Sequence, residues 1–324
     1  MKETLLETTG LHVRFSGRRG AVVRAVDGVD LTVCRGEVIA LVGESGCGKT
    51  TLARTILGLE RPVEGEVRFE GEAIRYDQRY LLPYRGKVQM VFQDPMGSLN
   101  PRQTVYEAVA EGLRIQKLPG DERARVADAL ARAGMRPPER FFPLYPYELS
   151  GGQRQRVVIA GAMVLSPSLL VADEPVSSLD ASVRGEILAL MLELVRDAGV
   201  TILVVTHDLG LAWNIADRIA VMYLGRIVEE GSTEELLQGP RHPYTRALLS
   251  VVPEVEAMEQ QILVGEAPDP TRVPPGCRFH PRCPLVASGE AARLGFEERC
   301  RGEDLGLEQV AGAPPGHRAA CHAL

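Results

Sequence analysis

The chain has 324 residues, enough for one large α/β domain and a smaller second one. Its formal net charge of −6 gives no basic footprint for nucleic acid, and no apolar run approaches the roughly 18 residues of a membrane-spanning helix. The first residues lack the apolar core of a signal peptide, so we expect a cytosolic protein that can still sit on a membrane protein.

The N-terminal part, residues 4–35, alternates apolar and polar residues. This pattern predicts strands with one exposed face in an antiparallel sheet. Phe15 lies where an aromatic ring can stack on a nucleotide base, although a core aromatic residue on a strand explains it equally well.

An apolar run at residues 38–42 predicts a strand buried on both faces. Residues 43–50 then match the phosphate-loop pattern G-x-x-x-x-G-K-[ST] without a mismatch, and a helix is expected from about Lys49. The glycines let backbone N–H groups converge on phosphate oxygens, and the helix N-terminus adds positive potential. Lys49 can reach the β- and γ-phosphates, and the Thr50 hydroxyl can ligate Mg²⁺. The loop therefore predicts a nucleoside triphosphate site.

Three later apolar runs also end in polar residues. The first leads to Gln93, a candidate contact for Mg²⁺ or water, the second to Asp173 and Glu174, and the third to His207. Open α/β sheets bind their ligands at the carboxyl ends of the strands. We therefore expect these side chains at the same edge as the phosphate loop.

An amphipathic stretch at residues 103–148 predicts a helical subdomain inserted between two sheet strands. It is followed at residues 149–153 by Leu-Ser-Gly-Gly-Gln, which precedes a long helical stretch. Ser150 is a good N-cap, and the two glycines leave the first N–H groups of that helix uncovered. This helix end is suited to an anion.

Beyond residue 218 the pattern changes to a predicted β-hairpin with a glycine turn, and proline and glycine dominate from residue 252. The cysteines are unevenly placed, because only Cys34 and Cys47 lie in the first half of the chain. The other four lie near the C-terminal end and are Cys277, Cys283, Cys300 and Cys321. A reducing compartment disfavours disulfides, so this group indicates a metal site first.

The motifs at 43–50, 93, 149–153, 170–174, 177–180 and 207 stand in the order found in ATP-binding cassette proteins, which residues 5–235 resemble. Residues 241–249 and 276–284 are similar to the tail of dipeptide, oligopeptide and nickel importer ATPases. Residues 91–95 and 98–102 resemble the F-type subunit of that group. Phe15 stands where many cassettes carry tyrosine, and Gly161 stands where relatives usually have arginine.

This resemblance implies an α/β fold with a RecA-like ABC ATPase core, an antiparallel β-subdomain, an inserted helical subdomain and a small Cys-rich C-terminal extension. We expect the nucleotide-binding domain at residues 5–240, with the helical subdomain at about 95–160. The extension, of the oligopeptide and dipeptide transporter type, is expected at residues 241–324 and contains the cysteines.

The resemblance also implies roles for individual residues. The expected nucleotide-binding residues are Phe15, Gly43, Glu44, Ser45, Gly46, Cys47, Gly48, Lys49, Thr50 and Thr51. The expected Mg²⁺ contacts are Thr50, Gln93 and Asp173, and the expected catalytic residues are Glu174, His207 and Gln93. Glu174 would deprotonate the attacking water, His207 would contact the γ-phosphate, and Gln93 would sense that phosphate.

A second set of residues is expected to complete the ATP site of another subunit. These signature residues are Leu149, Ser150, Gly151, Gly152 and Gln153, and Asp180 of the D-loop would cross the interface. Two cassettes would then sandwich two ATP molecules head to tail, closing on ATP binding and opening on hydrolysis.

The expected function is that of the ATPase subunit of a di- or oligopeptide importer. Its partners would be a related but distinct ATPase chain, two membrane permease subunits and an extracytoplasmic solute-binding protein, with no nucleic acid. The chain would lie peripherally on the cytoplasmic face of the inner membrane. The alternatives are a nickel or other small-solute importer ATPase, and a soluble ABC ATPase of translation or DNA repair, which usually has two cassettes or a basic surface. A kinase or GTPase would need neither residues 149–153 nor His207.

The cofactors expected from the resemblance are ATP, Mg²⁺ and a [4Fe–4S] cluster on Cys277, Cys283, Cys300 and Cys321. Zinc and unmetallated thiols are the alternatives, and the absence of C-x₂-C spacing weakens zinc. His280, His317 and His322 could replace a ligand, although solvated loop histidines are the simpler interpretation.

Overall fold

The computed structural model of the protein describes residues 3–17, 20–252, 261, 263 and 265–324. The chain divides into two compact units. The first unit comprises Met1–Leu5, Val33–Val38 and Ile74–Val204, and the second comprises Leu6–Thr32, Ile39–Ala73 and Val205–Leu324. The domain boundary expected at residue 240 stays a prediction, and residues 253–260, 262 and 264 of the expected extension lie outside the described residues.

The strands of the described residues are β1 (Thr4–Ser16), β2 (Val22–Cys34), β3 (Val38–Val42), β4 (Glu64–Phe69), β5 (Glu72–Ala73), β6 (Val88–Val91), β7 (Leu169–Asp173), β8 (Thr201–Thr206), β9 (Arg218–Tyr223), β10 (Arg226–Ser232), β11 (Glu308–Gln309) and β12 (Arg318–Ala319).

The helices of the same residues are α1 (Lys49–Ile56), α2 (Gln78–Lys87), α3 (Pro95–Ser98), α4 (Val105–Ile115), α5 (Glu122–Arg132), α6 (Gly151–Met163), α7 (Ala181–Ala198), α8 (Leu209–Ile215), α9 (Thr233–Gln238), α10 (Pro243–Leu249), α11 (Pro284–Ala287), α12 (Glu290–Arg293) and α13 (Glu297–Gly302). Single 3₁₀ turns lie at Pro138–Arg140, Pro146–Glu148 and His280–Arg282.

In the first unit, β6, β7 and β8 lie side by side, and β6 runs parallel to β7. Every residue of β7 is buried, as its continuous apolar run predicts. The chain between β6 and β7 forms α3 to α6, in which α4, α5 and α6 pack on one another. The predicted helical insertion between two sheet strands is therefore confirmed.

Helix α6 contains Gly161, which lowers helix propensity by roughly 1 kcal/mol relative to alanine. A Cβ at Gly161 would lie 3.9 Å from the carbonyl oxygen of Ala108, which is an ordinary van der Waals distance. Nothing in the structure explains a glycine at this position.

In the second unit, one sheet has the order β2-β1-β4-β5, and β4 is antiparallel to both β1 and β5. This is the predicted antiparallel β-subdomain. A second group of strands has the order β11-β12-β10-β9-β3, in which β3 is parallel to β9. Strands β9 and β10 form the predicted hairpin, with Leu224 (φ 43°) and Gly225 (φ 82°) in its turn. Positive φ at both positions is typical of a two-residue hairpin turn.

The C-terminal part of the chain is built into this second unit. Strand β12 pairs antiparallel with β10, and a buried hydrogen bond of 2.8 Å joins His317 Nε2 to Glu229 Oε1. Near the other end of the hairpin, Arg278 donates to the carboxylate of Asp27 and, at 2.5 Å, to the carbonyl oxygen of Leu224. The described part of the chain contains no helix of the length and apolarity needed to cross a membrane.

Candidate functional site

The phosphate loop lies between β3 and α1 in the second unit. Gly43 and Gly48 adopt φ angles of 154° and 111°, which side-chain-bearing residues rarely adopt. A Cβ at Gly43 would collide with the carbonyl oxygen of Met222, and one at Gly48 would collide with that of Ala25. The two glycines of the motif therefore allow the loop to pass close to neighbouring backbone.

The Lys49 side chain folds back onto the start of this loop. Its ammonium group donates to the carbonyl oxygens of Gly43 at 2.6 Å and Glu44 at 3.0 Å, and the residue is 7% exposed. Cys47 is buried beside it, and burial raises the pKa of the Cys47 thiol. A triphosphate in the loop would offer Lys49 stronger, charge-assisted partners than carbonyl oxygens.

Two other predicted residues belong to the same unit. His207 follows β8 directly and is exposed. The predicted contact with a ligand requires such exposure. Phe15 lies near the end of β1 and is 38% exposed, so it is not a core aromatic residue. Stacking of Phe15 on a nucleotide base stays a prediction.

The first unit holds the residues that follow β6 and β7. Because Val91 pairs with Ala172 in register, Gln93 and the Asp173–Glu174 pair leave these strands at the same edge. Asp173 is 6% exposed, while Gln93 is exposed. Two of the polar strand ends expected to lie together are thus neighbours.

Glu174 has a strained backbone. Its φ of 49° lies in the left-handed region, at a cost of order 1 kcal/mol for a residue with a side chain. The carbonyl oxygen of Glu174 accepts from the backbone N–H of Ser177 at 3.3 Å and from the Ser177 hydroxyl at 3.1 Å. These bonds hold the turn that sets the direction of the Glu174 side chain.

The first unit also brings the signature residues and the D-loop together. Ser150 Oγ accepts from the backbone N–H of Gln153 at 3.2 Å, and Gln153 Oε1 accepts from the Ser150 N–H at 2.9 Å. This capping box fixes the start of α6. A Cβ at Gly152 would lie 2.6 Å from Cγ1 of Val183 in α7, and one at Gly151 would lie 3.6 Å from the Leu179 side chain. Gly152 therefore allows this helix end and the start of α7 to pack closely, whereas a Cβ at Gly151 would make only an ordinary van der Waals contact.

Asp180 caps α7. Its carboxylate accepts from the Val183 N–H at 3.0 Å and from the Ser182 hydroxyl at 2.8 Å, and these bonds, the backbone bond first, lower the pKa of Asp180. The side chain therefore has a structural task within its own chain, beside the predicted contact across an interface.

The four C-terminal cysteines lie near one another. Burial first, and then the charges of Cys277 and Cys283, raise the pKa of Cys300 to about 11 and that of Cys321 to about 12. Across the described residues, however, no three His, Cys, Asp or Glu side chains are arranged to hold a metal ion. The residues as placed therefore form no ready site for a single metal ion such as zinc.

Each of the three histidines considered as substitute ligands has one ring nitrogen in a hydrogen bond. His280 Nδ1 bonds to the carbonyl oxygen of Cys277 at 2.9 Å, and His322 Nε2 bonds to that of Glu303 at the same distance. His317 pairs with Glu229. They are not solvated loop residues, because all three are buried.

Two residues beside the phosphate loop were missed by the sequence patterns. The Glu44 N–H donates to the hydroxyl of Tyr244 at 2.9 Å, and the Glu44 carboxylate accepts from Arg282 at 2.7 and 3.0 Å. Both lie in the segments that resemble importer tails, but no local signal links either of them to a loop some 200 residues earlier.

Comparison with known families agrees with this geometry. Residues 26–177 match the family described as ABC transporter. Residues 228–289 match the family described as oligopeptide/dipeptide transporter, C-terminal region. The chain is 39% identical to the oligopeptide transport ATP-binding protein AppF of Bacillus subtilis (strain 168), over 99% of this chain and 98% of that protein. It is 42% identical to the putative oligopeptide transport ATP-binding protein YkfD of the same organism, over 98% and 95%.

Solved structures show the same fold. CbiO1 of Clostridium perfringens, part of the ABC transporter complex CbiONQ, superposes with a TM-score of 0.66 and 33% identity over 74% of this chain and 92% of that one. A dimeric ATP-binding cassette in a post-hydrolysis state, bound to ADP and Pi, superposes with a TM-score of 0.64 and 30% identity over 71% and 99%. The chain therefore belongs to the ABC transporter family, carries the C-terminal region of oligopeptide and dipeptide transporters, and is an ATPase.

Proposed function

We propose that this chain is the ATP-hydrolysing subunit of a peptide importer. The proposal depends on the phosphate loop at residues 43–50, whose shape requires glycine at positions 43 and 48. The C-terminal part of the chain belongs to the same unit as this loop, since β12 pairs with β10 there. Relatives that match almost the whole chain are named for oligopeptide transport. The family of the C-terminal region is described by the same substrates.

ATP would be held by residues 43–51, with Phe15 against the base. The positive φ angles and the close backbone packing at Gly43 and Gly48 support this, because they give the loop a tight turn whose successive N–H groups can converge on phosphate oxygens. Thr50, Asp173 and Gln93 are the proposed ligands of Mg²⁺, which when bound neutralises phosphate charge. Their hydroxyl, carboxylate and amide oxygens are the donors that Mg²⁺ prefers.

Glu174 is the proposed general base for the attacking water, and His207 the residue that positions the γ-phosphate. Gln93 would report the nucleotide state to a membrane partner. Glu174 leaves a strand at the same edge as Gln93, which supports a joint role. The strained backbone at Glu174 agrees with a functional position, since such strain clusters at active sites.

The signature residues would serve the ATP of a second cassette. The start of α6 carries two exposed or half-exposed glycines behind the Ser150 cap, so its N–H groups suit an incoming phosphate. We infer a head-to-tail pair with a related but distinct ATPase chain, with Asp180 at the interface. One of the solved relatives is itself a dimeric cassette.

The remaining partners would be two membrane permease subunits and an extracytoplasmic solute-binding protein. The chain would then be peripheral, on the cytoplasmic face of the inner membrane. A nickel or other small-solute importer is the alternative within the family, and a soluble non-transport ABC ATPase is the alternative outside it.

Reconstitution of the chain with its candidate permeases and partner ATPase in vesicles tests the function. We expect the four chains to co-purify and ATP to drive uptake of a labelled di- or oligopeptide captured by the solute-binding protein. Nickel uptake without peptide uptake would show that nickel, and not a peptide, is the substrate. Active ATP hydrolysis by a chain that neither co-purifies with permeases nor supports uptake would favour the soluble ATPase instead.

The iron–sulfur cluster stays a prediction for the C-terminal cysteines, and no step of ATP hydrolysis is derived from it. Anaerobic purification should give iron and absorbance near 400 nm if Cys277, Cys283, Cys300 and Cys321 bind a [4Fe–4S] cluster. A Cys300→Ser variant should lose both signals, whereas Cys34→Ser, which changes a cysteine outside this group of four, should keep them. A colourless, iron-free protein with stoichiometric zinc would show that the four cysteines bind zinc. A protein without any metal would show that they are free thiols.

A further inference from the structure

The C-terminal extension holds the phosphate loop at Glu44. The Glu44 N–H donates to Tyr244 Oη at 2.9 Å, and the Glu44 carboxylate accepts from both terminal nitrogens of Arg282, at 2.7 and 3.0 Å. These partners lie 200 and 238 residues further along the chain. We call Glu44, Tyr244 and Arg282 the loop clasp.

Arg282 is itself firmly placed. It ends the 3₁₀ turn His280–Arg282, its side chain is 7% exposed, and its guanidinium lies 5.9 Å from the ring centre of Tyr223. The rings of Tyr223, Tyr244 and Phe279 are buried, with centres 4.7 to 5.3 Å apart. A planar guanidinium enclosed in this way loses little further freedom when it pairs with a carboxylate. The clasp therefore acts on the loop from a rigid base.

The clasp also removes an unfavourable charge. Glu44 is the residue directly after Gly43, in a loop whose neighbouring N–H groups are expected to face phosphates. An unpaired carboxylate there would repel a triphosphate. Arg282 neutralises that carboxylate, and two parallel hydrogen bonds also fix its orientation.

A second bond fixes the other side of the loop. The N–H of Gly225, in the β9–β10 turn, donates to the carbonyl oxygen of Cys47 at 2.8 Å. With Glu44 tied to Tyr244, the variable residues of the loop are held at both ends. A loop that is already ordered loses less conformational entropy when a ligand binds.

We propose that Arg282 and Tyr244 are positioning residues for ATP, which makes the C-terminal extension part of the nucleotide site. Arg282 cancels the charge of Glu44 and fixes the loop, and Tyr244 sets the direction of the Glu44 N–H. This inference rests on the proposed binding of ATP at residues 43–51.

An Arg282→Ala substitution should raise the ATP dissociation constant about tenfold or more, because it leaves a carboxylate without its charged partner. KM for ATP should rise in parallel, while kcat stays within about threefold, since no group that touches the reacting atoms is lost. Tyr244→Phe keeps the packed ring and removes only the hydroxyl, so a smaller rise of about threefold is expected. Calorimetry of ATP binding and steady-state kinetics measure both effects.

The double variant Glu44→Gln/Arg282→Ala separates the clasp from a general packing role. Removal of the stranded charge should recover a large part of the lost affinity, which a merely structural defect would not do. Arg299→Ala is the matched control, because Arg299 lies in the same extension and pairs with Glu303 at 3.1 Å on the surface. It should bind ATP as the wild type does.

Thermal unfolding identifies variants that fail to fold, and Tyr244→Phe then carries the test alone. Wild-type ATP affinity in folded Arg282→Ala and Tyr244→Phe would overturn the inference. Lys49→Ala in the same assay separates this result from failure of the proposed site. If Lys49→Ala loses ATP while the clasp variants do not, only the clasp is wrong, and if Lys49→Ala also binds normally, the site itself is wrong.

Discussion

Replacement of Glu174 by Gln should abolish ATP turnover while ATP stays bound, and should trap the closed pair of cassettes. The amide keeps the size of the side chain and the turn held by Ser177, but it cannot accept a proton from the attacking water. Loss of a general base typically lowers the rate by about 10² to 10⁴-fold. Phosphate release, nucleotide retained after gel filtration, and the size of the ATP-bound complex with the partner chain measure the three effects.

Glu193→Gln is the control for this variant. Glu193 is exposed on α7 in the same unit and loses the same charge, so its turnover should match the wild type. Unaltered hydrolysis by Glu174→Gln would remove Glu174 from the role of base. Full turnover by an isolated single chain, with Ser150 and Gly152 dispensable, would instead refute the paired cassettes.

Replacement of Lys49 by Ala should weaken ATP binding by about 10²-fold, which is the expected loss of charge-assisted hydrogen bonds to phosphate. In the structure the ammonium group bridges the carbonyl oxygens of Gly43 and Glu44. The variant therefore also loses bonds that shape the loop itself. Calorimetric titration with ATP and Mg²⁺ measures the dissociation constant directly.

Lys117→Ala provides the comparison for that loss of charge. Lys117 is exposed in the turn after α4, and its removal should leave the ATP dissociation constant unchanged. An unchanged constant in Lys49→Ala would exclude Lys49 from the site. Weakened binding in both variants would point to net charge rather than to a specific contact.

The parts of this fold that the sequence predicts are those specified by local chemistry. Continuous apolar runs predict β3, β7 and β8 because a strand buried on both faces has few positions that tolerate a polar side chain. Gly43 and Gly48 mark the phosphate loop because backbone passes where a Cβ would stand. Ser150 predicts the start of α6 through its cap, which the structure confirms.

The contacts of the C-terminal extension could not be predicted in this way. Arg282 and Tyr244 meet Glu44 across more than half of the chain, and neither carries a periodic or motif signal that names its partner. The cysteines gave the opposite result. Their clustering in sequence indicated a metal site, but the described residues form no ready set of ligands for a metal ion.

The pairing of β12 with β10 has a consequence for how this chain can be cut or recombined. A polypeptide ending at residue 240 would leave β10 as an open sheet edge, which invites edge-to-edge aggregation. It would also leave the buried carboxylate of Glu229 without its partner His317. An extension taken from another protein would therefore have to supply both a strand that pairs with β10 and an imidazole that pairs with Glu229. The cassette and its extension can thus be exchanged only together.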